Sequence, residues 1–444
     1  MKRISLNKIL KLLSQNNTKQ LKKTLNESFP EDIAYIINNL PDDIQCYLFN
    51  FLNFSKASEV IYELYEPVRK NIIDHLKKNQ LAKIIDEMDS DEATDIVAEL
   101  KDDITENILK SIDKKDSEAI RALLKYDEET AGGIMQTEII AVNEDKKRNQ
   151  LIEYIRENKD KVDNIHYVFV VDKDKKLKGI LDIVNIMVAS DDIKAKDIME
   201  TDIISVKSYK DQEEVANIFR KFDIYALPVV NDREVLLGRI TVDDIIDVID
   251  EEASEDAYLI AGLDSEDKVF SSPFSSVRKR IPWLTLNLLT ALIVSSVVGI
   301  FEETIAKLSF LAVLMPIVAG LGGNSATQTL TVITRGIAMG ELSVHNTYKA
   351  ILKEILVGLT NGIIIGTIVM LIAYFLKNDI LLGVVLGSAM VSNMFIAGLC
   401  GSLIPTIMKK FNLDPALASS VLITMLTDIG GFASFLGLAS ILLV

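Results

Sequence analysis

The sequence predicts a multidomain chain: an all-α helical superhelix at the amino-terminal end, a duplicated α/β unit, a connecting helix, and an α-helical transmembrane domain with five spans. Three observations carry this. Helix starts recur every 10 to 14 residues through the first 130 positions. The run Ile134-Met135-Gln136-Thr137-Glu138-Ile139-Ile140-Ala141-Val142 returns as Ile198-Met199-Glu200-Thr201-Asp202-Ile203-Ile204-Ser205-Val206. After residue 280, five stretches are uncharged or nearly so. The expected boundaries are 1–130 for the helical domain, 131–256 for the repeat (copies 131–197 and 198–256), 257–280 for the connector and 281–444 for the membrane domain.

The helix starts fall at Pro30-Glu31-Asp32, Pro41-Asp42-Asp43, Ser55, Pro67, Gln80, Ser90-Asp91-Glu92, Asp102-Asp103 and Asp116-Ser117. Proline and acids suit a first turn, where the unpaired amides and the helix dipole favour them. The spacing leaves room for about three turns and a corner each, which is the pattern of a helical solenoid. Ile84, Ile85 and Met88, at helical spacing, mark its inner seam.

Each copy of the repeat continues with a helix, an apolar strand (167–171 and 226–230), a polar turn, a glycine-containing strand and a second helix. The second copy ends in an acidic run, residues 241–256. On a helix, Asp244 with Asp247, Asp247 with Glu251, and Glu251 with Glu255 are neighbours of like charge. Such pairs destabilise a helix unless a cation sits among them; a solvated acidic face is the alternative. The connector then ends in Arg278-Lys279-Arg280.

Charge is distributed unevenly. Residues from 281 onward carry seven basic and seven acidic side chains, so the whole net charge of −16 resides in the first 280. An acidic soluble part argues against nucleic acid and for a cationic partner or plain solubility. Two cysteines and three scattered histidines exclude a disulfide framework and a zinc or other transition-metal cluster. The chain opens with a short basic amphipathic helix rather than a signal peptide, placing the soluble part in the cytoplasm.

The uncharged stretches are 281–301, 308–334, 355–376, 380–408 and 415–444. With Arg278 to Arg280 inside, alternate connections put eight basic residues inside against two outside. This fits the positive-inside rule, with the amino terminus inside and the carboxyl terminus outside. Five is an odd number for a bundle enclosing a pore, so a second copy is expected to complete it. Asp428 is the single ionisable group in 415–444 and is followed by Gly430 and Gly431. A carboxylate inside such a span costs at least ~2.5 kcal/mol, so it should face a cavity, a partner or an ion. Protonation or pairing with a basic residue is the plainer alternative. No other acid lies within the five stretches, which argues against a long proton relay.

The repeat resembles a tandem CBS pair, a module that often binds adenine nucleotides. In that family a Thr or Ser followed three residues later by Asp holds the ribose. Thr241 and Asp244 stand in that place in the second copy, whereas Asp182 and Asn185 depart from it in the first. The whole chain resembles the MgtE family of magnesium channels. The most specific pieces are EETAGGIM at 128–135, Pro282-Trp283-Leu284-Thr285-Leu286-Asn287, the run from Pro316 to Asn324, Gln328, Arg335-Gly336, and LDPALAS followed by Thr427-Asp428.

The resemblance implies a homodimer in the cell membrane, its pore lying between the subunits and lined by the second and fifth spans. Asp428 is then the central Mg2+ site, with Gly320, Gly322, Gly323 and Asn324 lining the pore. It also implies closure by cytoplasmic Mg2+ bound at Asp91, Asp95, Glu213, Asp223, Asp244, Asp247, Glu252, Glu255 and Asp256, and ATP as a further ligand of the CBS pair. The ion chemistry agrees: Mg2+ takes one or two carboxylates and keeps its waters, which carbonyls around 320–323 and Asn324 would accept hydrogen bonds from. The rival readings are an ion-coupled secondary transporter or a Mg2+ exporter using Asp428, and a nucleotide-sensing membrane receptor. No nucleophile–base or phosphate-loop pattern marks an enzyme.

Overall fold

The computed structural model describes residues 2–444 except 160, 161, 163, 164, 266, 343, 344, 412, 418 and 419. It divides into two compact units, residues 1–248 and 249–444.

The first unit begins with a row of short helices: α1 (Leu6–Ser14), α2 (Thr18–Asn26), α3 (Pro30–Asn38), α4 (Asp42–Phe49), α5 (Phe54–Tyr62), α6 (Glu66–His75), α7 (Lys78–Ile85), α8 (Ser90–Ala98), α9 (Asp102–Leu109) and α10 (Lys114–Leu123). The expected starts fall within two residues of the observed ones. The packing is that of a superhelix, because α3 meets α5, α5 meets α7, α7 meets α9, α4 meets α6 and α8 meets α10. A recurrent hydrogen bond fixes the pitch. The amide of Asn53 donates to Asn26 Oδ1 at 2.8 Å, that of Tyr65 to Asn38 Oδ1 at 3.0 Å, and that of Asp113 to Asp86 Oδ1 at 2.7 Å. Each pair is 27 residues apart, so a polar side chain at the end of one helix satisfies the capping amide of the third helix on. Ile33, Ile37, Ile61, Ile84 and Ile85 fill the seam, with Met88 packed against it.

The repeat follows with β1 (Ala141–Asn143), α11 (Arg148–Asn158), β2 (Tyr167–Val171), β3 (Leu177–Asp182), α12 (Ile183–Val188) and α13 (Ala195–Ile198). The second copy has β4 (Val206–Lys207), α14 (Gln212–Phe222), β5 (Ala226–Val230), β6 (Leu236–Thr241) and α15 (Val242–Ile260). Both sheets have the same order, a parallel first pair and an antiparallel second, with a register irregularity at the same place, Val170/Val171 and Val229/Val230. The copies join through their turns: Leu177 donates to the Glu234 carbonyl at 3.0 Å and Leu236 to that of Lys175 at 3.1 Å. The EETAGGIM segment threads the second copy, its Ala131 and Gly132 amides donating to the carbonyls of Lys210 and Ser208 at 2.6 and 2.7 Å.

The second unit starts inside α15. The connector is not one helix over 257–280. α15 stops at Ile260, and α16 (Pro273–Gly299) carries Arg278-Lys279-Arg280 in its own second turn. Asp267, in the intervening segment, is buried; Ser276 Oγ donates to it at 2.6 Å and Arg280 Nε at 2.5 Å. Then come α17 (Glu302–Lys307), α18 (Leu311–Ala338), α19 (Thr347–Lys377), α20 (Ile380–Lys410), a 3-10 turn over Pro415–Leu417 and α21 (Ser420–Leu442).

Five spans were expected, but among the described residues four helices are long and apolar enough to cross a membrane: α16, α19, α20 and α21. The second stretch does form a 28-residue helix, α18, yet its Gly320-to-Thr331 segment is rich in glycine, Asn, Gln, Ser and Thr, which interrupts its apolar run.

The central helix is α20, packed on α18, α19 and α21. Its contact with α19 depends on glycine at close approach. A Cβ at Gly366 would lie 2.7 Å from the Gly387 carbonyl oxygen, and one at Gly398 2.6 Å from that of Glu354. Without a strong hydrophobic force between helices in lipid, such backbone proximity carries the association. Gly366→Leu should therefore cost about 1–3 kcal/mol by overpacking and lower the melting temperature of the chain in detergent by several degrees. Gly299→Leu, at a position with no atom within 4 Å, serves as the control. Equal melting of the two variants would contradict this packing.

Candidate ion-binding sites

In the first unit, Asp91 stands in the first turn of α8 and Asp244 in the first turn of α15. Asp91 is buried, and its Oδ1 has no hydrogen-bond partner among the described residues. Burial, then the nearby Asp244 and Glu92, hold its carboxyl well above the usual range. Burial also raises Asp244, opposed by the Thr241 hydroxyl and amide, which donate to Oδ2 at 2.5 and 3.1 Å. Gln136 Nε2 approaches the same oxygen at 3.3 Å. Glu92 is pushed up to about 8 by burial and by Asp89, Asp244, Glu63 and Asp95. The Tyr62 hydroxyl is raised by burial and by Asp95, Asp91, Glu92 and Asp244, and Glu63 by burial, Glu31 and Asp247. The fold thus gathers acids from α5 to α8 against the start of α15. The arrangement gains from any cation or proton that enters it.

A cleft of about 650 Å³ adjoins this group and takes in Glu59, Asp86, Asp89, Glu92, Asp116 and Glu138. Glu138 accepts from Ser90 Oγ at 2.7 Å, and the Thr137 amide donates to the same hydroxyl at 2.8 Å, so the segment leading into β1 is tied to the first turn of α8. Among the described residues, no three His, Cys, Asp or Glu side chains form a ready-made metal cage. These are repulsive faces rather than a closed coordination shell.

The remaining acids expected from the sequence are more dispersed. Glu213 lies in the first turn of α14 and Asp223 closes it in the left-handed conformation. At 1.5 Å per residue they are roughly 15 Å apart along the axis. Glu252, Glu255 and Asp256 belong to the second unit, on the later turns of α15. Asp256 is raised by burial and then by Asp414, with Arg335 pulling the other way. Asp414 and Arg335 both sit in the motifs singled out in the sequence, but only the fold brings them to Asp256.

The four residues expected to line a pore on α18 divide between two faces. Gly320 and Asn324 are exposed, in line with Gln328, Thr331 and Arg335, at steps of three or four residues. Gly322 and Gly323 are buried. A Cβ on Gly322 would overlap the Asn393 amide of α20, and one on Gly323 would lie 3.3 Å from Thr424 Cγ2 of α21. Those two glycines admit neighbouring helices and do not face the polar line.

Asp428 lies near the middle of α21, half-buried, its Oδ1 without a partner among the described residues. Thr424, one turn before it, meets Gly323, and Gly431, three residues after it, meets Val318 and Asn393. The helix period places Asp428 on this same side of α21, toward α18. A buried acid on the apolar helices was missed. Glu354, in the second turn of α19, is buried and accepts from Lys353 Nζ at 2.5 Å and Thr329 Oγ1 at 3.2 Å. It escaped the sequence reading because the uncharged stretch begins one residue later.

Comparison with known proteins agrees with this layout. Residues 315–438 match the family model MgtE, described as a divalent cation transporter, and residues 28–129 match the MgtE intracellular N domain. Residues 131–192 and 195–251 each match the CBS domain. The magnesium transporter MgtE of Enterococcus faecalis is 37% identical over 321 residues, 72% of this chain and 71% of that one. That of Thermus thermophilus is 31% identical over 448 residues, 97% of each chain. Among solved structures, the soluble part of a magnesium transporter aligns with a TM-score of 0.52 at 28% identity, covering 56% of this chain and 98% of its own. The cytosolic domain of the Mg2+ channel MgtE in complex with ATP aligns at 0.53 and 27%, covering 55% of this chain and all of that one. The length of these matches, and their coverage of helical domain, repeat and membrane helices alike, leave one conclusion: this chain belongs to the MgtE family of divalent cation transporters.

Proposed function

We propose that this chain is a homodimeric Mg2+ channel for uptake, and that cytoplasmic Mg2+ on the acidic face of the first unit closes it. The observation that carries the reading is the exposed polar line Gly320–Asn324–Gln328–Thr331–Arg335 on α18. A 28-residue helix packed on two membrane-crossing helices, α20 and α21, cannot turn such a face to lipid without a large cost. Facing a second copy across a water-filled path, the same line supplies carbonyls and amides to a hydrated ion. α18 is then the fifth span, and the polar line along it is the signature of a pore wall. The basic flanks place the amino terminus inside and the carboxyl terminus outside.

Asp428 is the charge of that path. Two copies bring two carboxylates, which balance one divalent ion and leave its remaining positions to water. Glu354 is saturated by Lys353 and Thr329, so it supplies no relay for an ion-coupled mechanism. Asp428→Asn keeps shape and removes charge; Mg2+ flux into vesicles should fall at least tenfold, and Asp428→Ala should behave alike. Wild-type flux through the Asn variant would refute the charge-based path.

On the first unit, Mg2+ between Asp91, Asp95, Asp244 and Asp247 replaces repulsion with attraction, whereas a monovalent salt merely screens over ~8 Å. Protease protection of the soluble part should appear with millimolar Mg2+ and not with potassium chloride of equal ionic strength, and Asp91→Asn should shift it to higher Mg2+. The pH dependence has a definite sign. A carboxyl raised in the folded state binds its proton more tightly there, so its contribution is present at low pH and lost as pH rises toward about 8, the value for Glu92. Without divalent ion, the soluble part should lose up to ~3 kcal/mol between pH 5 and 8.5, and Mg2+ should flatten the profile. A flat profile in its absence would count against the cluster.

For ATP, Thr241 and Asp244 already bond to one another, and Asp244 faces Asp91. Nucleotide and cation therefore compete for one carboxylate. Calorimetry on the soluble part should find ATP binding weak and abolished by Asp244→Ala; tight binding that survives this change would overturn the assignment.

A further inference from the structure

Asn393, in the middle of α20, has no exposed surface. Its Nδ2 donates to the Val318 carbonyl of α18 at 2.7 Å, and its Oδ1 is buried with no partner among the described residues. The amide is wedged between two other helices. A Cβ on Gly322 of α18 would overlap it, and one on Gly431 of α21 would lie 2.7 Å from its Nδ2. Glycine at both places is what admits it.

An apolar residue of similar volume would fill this space with no buried oxygen left unsatisfied. The amide gives one thing that a leucine cannot: a directional bond to the backbone of α18, one turn before Gly322 and six residues before Asn324. On α21 it bears on Gly431, three residues from Asp428. Three helices thus meet at a single side chain, whose contacts fall six residues from Asn324 on α18 and three residues from Asp428 on α21.

We infer that Asn393 is a positioning residue for ion selection, one that fixes the rotation and spacing of α18 against α21 and so sets where Asn324 and Asp428 stand. It never touches the ion. The inference rests on the pore reading above, because selectivity is the property it governs. A hydrated Mg2+ accepts little error in ligand geometry, so a small rotation of α18 should matter more for Mg2+ than for a less demanding ion.

The test compares wild type, Asn393→Leu and Gly322→Ala, each full length in vesicles. Asn393→Leu keeps the volume and removes the bond; Gly322→Ala keeps the amide and displaces it. Both should raise the KM for Mg2+ and lower the Mg2+-over-Na+ flux ratio at least fivefold, with maximal flux much less affected. Hydrogen exchange across residues 318–324 should quicken in both, a readout that needs no flux and stands even if the wild-type chain carries no Mg2+. If Asn393→Leu folds poorly, Asn393→Ser, with a donor too short to reach Val318, takes its place. A folded variant with wild-type KM, flux ratio and exchange would overturn the inference, whatever its melting temperature. Absence of Mg2+ flux in the wild type would instead strike the pore reading, leaving the exchange result to decide the role of Asn393 in setting α18.

Discussion

A carboxylate removed from water must be met by something, and this chain holds two, far apart in sequence, whose oxygens its own described residues leave unmet. Asp91 and Asp428 each keep a buried, unpartnered Oδ1. Burying an ionised group without compensation costs several kcal/mol even after relaxation, more than most single contacts return. Neither site resolves the problem internally. Asp91 is surrounded by further acids, and Asp428 by glycine and threonine. In both units the described residues hold the acid in place and leave one of its oxygens unpartnered.

That arrangement dictates much of the membrane unit. α20 takes the centre because it meets three neighbours at glycine or small-residue contacts, leaving α18 with one packed face and one exposed face. Gly322 and Gly323 belong to the packing face; Gly320 and Asn324 belong to the other. Within five residues, one helix alternates between exposed and buried positions. The same economy is seen in the first unit, where Thr241 and Gln136 hold Asp244 by hydrogen bonds that orient the carboxylate without cancelling its charge.

The sequence made parts of this plain. Proline and paired acids at helix starts are local signals, and the starts fall where those residues stand. The nine-residue repeat is self-evident once aligned, and both sheets share its order. What escaped depended on distance or phase. Asp91 and Asp244 are 153 residues apart, so no spacing rule joins them. The split among the four α18 residues turns on 200° of helix rotation between i and i+2, which cannot be seen until the packing face is known. The connector misled because Pro273 and Ser272 start a new helix, while the basic cluster drew attention to the membrane edge instead. Glu354 lay one residue outside a window chosen for lacking charge.

The hydrogen bonds along the helical row have a mechanical consequence. Helices pack on their next-but-one neighbours, and three are tied to the third helix on by a bond that spans 27 residues. A stack of this kind is compliant: small angular changes at successive junctions add, as in a coil spring, and none need break a core contact. The layer that bears Asp91 is the eighth of the ten, so bending distributed over the preceding layers arrives there as displacement. Its stiffness is then as much a part of how firmly the acidic edge is held as the charges along it.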